Sequence, residues 1–145
     1  MGALNRHYKH LLDPDIALLL DFQADHFTEY INWEYDVRVG PGRDPGSDTP
    51  AEIRKMALDL SRRRIDCIAE ARDHVQLIEI CQIAQYRPIA QLPIYAYHYI
   101  HDFNPAKPVQ TAILCREMPD DIRLFCDKVG YRVYLYPPDQ EPPTT

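Results

Sequence analysis

Two strand-like runs, Arg-Ile-Asp-Cys-Ile-Ala-Glu at 64–70 and Val-Gln-Leu-Ile-Glu-Ile-Cys-Gln-Ile at 75–83, are separated by only Ala71-Arg-Asp-His74. A connection this short can join only antiparallel neighbours, because a parallel return needs a crossover of a dozen residues or more. The chain is therefore expected to build its sheet around this hairpin. Side chains alternate along a strand, so Leu77, Glu79, Cys81 and Ile83 share one face and Ile78 and Ile80 take the other. Each strand carries one acidic residue in its apolar run, Asp66 and Glu79, and the residue beside Glu79 on its own face is a thiol.

The flanking sequence supplies helices and further strands. Residues 3–28 read as one interrupted helix or two short ones, with Asp13-Pro14-Asp15 as a start signal. Ile31, Trp33, Tyr35, Val37 and Val39 alternate with polar residues, which predicts a half-buried strand with those five side chains on one face. Residues 40–48 hold three Gly and two Pro and read as an exposed, mobile loop. Thr49, Pro50 and Glu52 have the spacing of a capping box, with Thr49 as N-cap, and Ile53, Met56, Ala57 and Leu60 form an apolar face behind it. A third helix is expected between residues 88 and 102, burying Ile89, Leu92, Ala96 and Tyr99 or Ile100. Pro93 sits awkwardly inside it, since an interior proline costs about 3 kcal/mol outside the first turn. A strand over 107–117, a helix over 119–129 stopped by Gly130, and a strand over 131–136 follow, and 137–145 is a polar, Pro-rich tail. This order predicts an α/β fold in which one domain, residues 1–136, has a mixed central sheet of about five strands flanked by helices.

Composition limits the function. At 145 residues the chain is one domain in size, enough to bury roughly 70% of its unfolded surface. No apolar run approaches the ~20 residues of a membrane helix, and the first residues lack a signal-peptide pattern, which predicts a cytoplasmic protein without membrane contact. The charge of −6, from 16 basic and 22 acidic residues, has the wrong sign for a protein that grips duplex DNA by neutralising phosphates. The one dense basic run, Arg54, Lys55, Arg62, Arg63 and Arg64, reads first as a solvated helix end whose charges complement the dipole, and second as a phosphate-binding patch. Cys67, Cys81, Cys115 and Cys126 form no C-x-x-C pair and read as buried thiols. The pairs His7/His10 and His98/His101 lack the further ligands that zinc needs. Tyr86, Tyr95, Tyr97, Tyr99, Tyr131, Tyr134 and Tyr136 suit burial at sheet edges or a protein interface, or stacking against bases.

An Asp on one strand, Glu-x on its hairpin partner and Gln91-Leu-Pro-Ile-Tyr95 after them resemble the core of the PD-(D/E)xK, or restriction-endonuclease-like, superfamily, whose RecB-like members carry Gln-x-x-x-Tyr on the next helix. The resemblance implies a restriction-endonuclease-like core, with Asp66 and Glu79 as Mg²⁺ ligands and Gln91 and Tyr95 supporting the site or touching nucleic acid. Cys81 departs from the pattern, because it stands where the family has lysine. A neutral thiol cannot offset charge developing on a phosphorane-like transition state, and loss of such a group costs about 10²- to 10³-fold in rate. Lys55 or Arg87 could replace the cation, Gln82 adjoins on the opposite face, and Glu29 or Asp25 could add a carboxylate.

The sequence also resembles small nuclease-fold proteins of tailed bacteriophages. With a disarmed site and an acidic surface, that resemblance implies a noncatalytic structural or interaction protein, without catalytic residues or cofactor, at the portal, neck or head-to-tail junction of a virion. Its partners would be other subunits, in a homo-oligomer or among virion neighbours, with DNA contact secondary. The alternative is a Mg²⁺-dependent DNA nuclease with a relocated cation.

Overall fold

A computed structural model describes residues 11–138. The calls on residues 1–10, His7 and His10 among them, and on most of the tail lie outside the described residues. The element order is α1 (Asp13–Asp25), β1 (Asn32–Val39), α2 (Ala51–Ser61), β2 (Arg63–Glu70), β3 (Val75–Ile83), α3 (Tyr86–Phe103), β4 (Val109–Glu117), α4 (Asp120–Val129) and β5 (Arg132–Leu135). The five strands lie in sequence order in one sheet, with β1–β2–β3 antiparallel and β3–β4–β5 parallel. The expected α/β class and mixed sheet are therefore present, and the parallel half arises because α3 and α4 supply the crossovers that parallel pairing needs.

Alternation along the central strands feeds two cores. Ile78 and Ile80 of β3 and Ala112 and Leu114 of β4 pack under Leu18, Leu19 and Phe22 of α1. On the opposite face Leu77 packs with Tyr95 and Tyr99 of α3, while Ile113 and Cys115 meet Leu92 of α3 and Ile122 and Cys126 of α4. Gln76 is fully buried on the α1 side, where its amide oxygen accepts from Tyr30 Oη at 2.5 Å and Tyr134 Oη at 3.3 Å.

β1, which starts after Ile31, does not keep its alternating apolar residues on one face. Trp33 and Tyr35 pack with the α1 core, whereas Val37 and Val39 pack with the α3 core. The switch occurs at Asp36, whose φ of 54° lies in the left-handed region, which Asp tolerates better than most residues. Its neighbour β2 changes sides at the same level: Cys67 belongs to the α1 core and Ile65 to the α3 core, and the otherwise continuous β1–β2 register lacks the Asp36↔Asp66 pair.

Three local expectations change. The helix after the Gly/Pro segment starts at Ala51 with Pro50 as N-cap and no side-chain cap, and the Thr49 N–H, which a capping box would give to Glu52, turns back to Gly46 O at 3.2 Å. Residues 40–48 are fastened: Gly40 N–H donates to Asp102 Oδ2 at 2.8 Å, Arg43 N–H to Ser61 Oγ at 2.5 Å, and Arg54 Nε to Asp44 at 2.8 Å. Gly42 is required there, since a Cβ would lie 2.2 Å from Leu58 O. The basic run is split at the helix end: the last turn of α2 holds no basic residue, Arg62 is its C-cap, and Arg63 and Arg64 open β2. The apolar face of α2 exists but is uncovered, with Ile53, Met56 and Leu60 each more than half exposed.

α3 runs from Tyr86 straight through Pro93. A proline at 93 leaves Ile89 O without its helical donor, and Tyr131 Oη, from the approach to β5, donates to that carbonyl at 3.3 Å. Replacing Tyr131 with Phe should therefore cost about 0.5–1 kcal/mol, and clearly less in a Pro93→Ala background, where the restored N–H serves Ile89 O. Urea unfolding of the four proteins measures this coupling; equal costs in both backgrounds would refute it.

Candidate acidic site where β2 and β3 part

β2 and β3 pair from Glu70↔Val75 as far as Cys67↔Ile78 and then separate. One step further along that register, Asp66 would stand opposite Glu79. Instead the Asp66 carboxylate enters the gap, and its Oδ2 accepts the Ile80 N–H at 2.9 Å. The Glu79 carboxyl accepts a hydrogen bond from the Asp66 main chain. Each acid thus caps the strand of the other and replaces ladder bonds that the divergence removes.

Burial dominates the electrostatics. It pushes Asp66 up to about 6, with the fields of Asp15 and Asp36 adding to it and the Ile80 N–H opposing. It pushes Glu79 up to about 9, reinforced by the charge of Asp66 and opposed by the bond from the Asp66 main chain. Glu79 Oε1 is buried without a hydrogen-bond partner. Two carboxyls this close titrate as a unit, and near neutrality the pair retains about one proton.

Cys81 is half-buried against Ala84, Ile89 and Leu92 of the α3 and α4 core. Burial, then the neighbouring Cys115, Glu79, Asp15 and Asp66, pushes its thiol up to about 12, so it is neutral at physiological pH. The other thiols, Cys67, Cys115 and Cys126, are buried and free. Tyr95 is buried on α3; burial, followed by the fields of Glu79 and Asp66, pushes its phenol up to about 12, while Arg63 and Arg87 pull the other way. Tyr95 therefore lies within the fields of the acid pair and of two guanidinium groups. Gln91 is half-buried one turn earlier on the same helix, and among the described residues no hydrogen bond joins it to either acid.

The other candidates lie elsewhere. Glu29 bonds His26 Nδ1 at 2.6 Å and Asp25 accepts from Tyr136 Oη at 2.7 Å, so neither joins the pair. Lys55 lines a groove with Ser47, Thr49 and Arg54. Gln82 points to the α1 side, where its amide donates to Asp15 Oδ1 at 2.8 Å. The acids whose fields do reach Asp66 are Asp15 and Asp36, which sequence reasoning did not nominate. In sequence Asp15 is only part of a helix-start signal and Asp36 only one of the polar residues that alternate with Trp33 to Val39. Arg63 stands in sequence only as one of a basic run of five, with nothing to single it out from its neighbours.

Two hard carboxylates, one with an unsatisfied oxygen, fit a cation such as Mg²⁺, which is commonly held by one or two carboxylates with water or phosphate completing its shell. Among the described residues no group of three or more His, Cys, Asp or Glu converges to hold a metal, and His98 and His101 form no such site.

No family model and no curated protein matches the chain. Among solved structures, a repair endonuclease from Pyrococcus abyssi superposes with a TM-score of 0.50 at 13% identity, over 90% of this chain and 49% of that one. A protein of unknown function superposes with a TM-score of 0.44 at 14% identity, over 80% of this chain and 54% of the other. The chain thus spans about half the length of each. The first likeness shows a nuclease-like fold.

Both acids have folded-state values above the ordinary carboxyl range, so the folded protein binds these protons more tightly than the unfolded chain does. The stability contributed by the pair is therefore full below about pH 4 and falls as pH rises through about 6 and on to about 9. Glu79→Gln should raise Tm at pH 8 by several degrees, since about 1 kcal/mol moves a domain of this size by roughly 3–5 °C. Calorimetry at pH 5 and pH 8 checks this: the gain should shrink at the lower pH, and a pH-independent gain would refute the assignment.

Proposed function

We propose that this chain is a noncatalytic interaction module on a nuclease-like fold, and that it serves as a structural part of a tailed-phage particle at the portal, neck or head-to-tail junction. The observation that carries the first part is Cys81: a neutral, half-buried thiol stands where an active PD-(D/E)xK site places its ammonium group. Without a cation there, an acid pair that retains a proton neither activates water nor offsets charge on phosphate. The uncovered apolar face of α2 supports an interaction role, because exposed apolar residues grouped on one helix face favour burial against a partner. The virion assignment rests on the sequence resemblance to phage proteins.

A second reading follows from the unsatisfied Glu79 Oε1 beside Asp66, with Arg63 and Arg87 acting on Tyr95 nearby. On this reading Asp66 and Glu79 hold Mg²⁺, an arginine replaces the lysine, and the chain cleaves DNA.

Incubation with single- and double-stranded DNA and Mg²⁺ or Mn²⁺ separates the two. The expected result is no cleavage; metal-dependent cleavage lost in both Asp66→Ala and Glu79→Ala overturns the noncatalytic reading. Cys81→Lys is expected to bring Mg²⁺-dependent cleavage by restoring the missing charge to an otherwise intact acid pair. Mass spectrometry of purified particles tests the location, and absence of the chain from them rejects a virion role.

A further inference from the structure

A cleft of about 400 Å³ opens where the turn at Gly40–Gly42 meets the end of α2, the start of β2 and α3. Arg43, Ser61, Arg63 and His98 supply its polar lining, and no acidic side chain lines it. In a chain of net charge −6, this is a local inversion of sign. Among the described residues neither the Arg43 nor the Arg63 guanidinium is engaged in a hydrogen bond, and both residues are exposed. Arg62, by contrast, is occupied, donating from Nε to Gly40 O at 2.7 Å and from Nη2 to Asp102 Oδ2 at 3.2 Å.

A second hollow of about 330 Å³ shares Gly40, Pro41 and His98 with the first and continues to Tyr97, His101 and Asp102. Its one carboxylate is already satisfied: besides Arg62, Asp102 Oδ2 accepts the Gly40 N–H at 2.8 Å, and Oδ1 lies 3.1 Å from His101 Nδ1. Tyr97 is two-thirds exposed, edge-on to His98 at 5.3 Å and nearly parallel to His101, 16° between planes at 6.4 Å. An exposed aromatic ring beside a cationic cleft combines the two elements that hold nucleotides without sequence preference, charge for the phosphate and a π-face for the base.

We propose that the joined clefts bind a nucleoside phosphate, with Arg43 and Arg63 on the phosphate and the base stacked on Tyr97. Neither Asp66 nor Glu79 lines the site, although Arg63 also acts on Tyr95 beside that pair; binding of a phosphate by Arg43 and Arg63 requires no cleavage by the pair. The phosphate can belong to a free nucleotide or to the end of a single strand, and both present the same chemistry to these residues.

Titration of the intact chain, without divalent cation, by two-dimensional amide NMR with inorganic phosphate, AMP and a short single-stranded oligonucleotide tests this. AMP should bind more tightly than phosphate, with shifts centred on Gly40, Arg43, Arg63 and Tyr97. Arg43→Glu combined with Arg63→Glu should weaken both ligands about tenfold or more, the scale of a lost charge-assisted contact. Tyr97→Ala should abolish the advantage of AMP while leaving phosphate unchanged. Tighter binding of the oligonucleotide than of AMP identifies a strand as the source, and equal binding a free nucleotide. If charge reversal unfolds the chain, Arg43→Gln and Arg63→Gln read the same contacts. Absence of saturable AMP binding at millimolar concentration, a folded arginine variant that binds like the parent, or shifts centred on Asp66 and Glu79 would overturn the proposal.

Discussion

The left-handed residue at Asp36 and the parting of β2 from β3 are two ends of one constraint. A strand of period two keeps every second residue on one face unless its alternation is broken, and β1 and β2 break theirs at the same level. Tyr35 and Cys67 pack under α1, whereas Val37 and Ile65 pack under α3. Beyond that level β2 no longer pairs with β3, and two ladder positions need other partners. The Asp66 carboxylate supplies one, on Ile80 N–H, and the Asp66 main chain serves Glu79. The acid pair is therefore both a product of the divergence and the group that closes it.

That arrangement has a cost in its ionisation. Burial raises the proton affinity of both carboxyls, the charge of Asp66 raises that of Glu79 further, and the Cys81 thiol two residues after Glu79 remains neutral. A retained proton relieves such a pair. The guanidinium groups near Tyr95 belong to Arg63 and Arg87, which enter from the start of β2 and the first turn of α3 rather than from the strand that carries Glu79.

Much of the framework was legible because it depends on short-range periodicity. The β2–β3 hairpin, the two faces of β3, the Gly130 stop of α4 and the buried stripe of α3 follow from alternation, helical spacing and the left-handed tolerance of glycine. The misreadings have local causes that only distant contacts reveal. Thr49 fits a capping box until Gly46 claims its N–H, and β1 reads as one face until Asp36 adopts a positive φ. Pro93 sits awkwardly inside its helix until Tyr131, brought in from the approach to β5, donates to the carbonyl that the proline leaves free.

By itself the sequence determined which residues alternate, which turn is too short for anything but a hairpin, and that a thiol follows Glu79 on its own face. These properties depend on neighbours within a few positions of each other. Only the tertiary structure decided that Asp15 and Asp36 act on Asp66, that Glu79 keeps an unsatisfied oxygen, and that Arg43, Arg63 and Tyr97 border adjoining clefts. Burial and electric fields depend on distance in space, and the sheet brings together residues that the chain holds tens of positions apart.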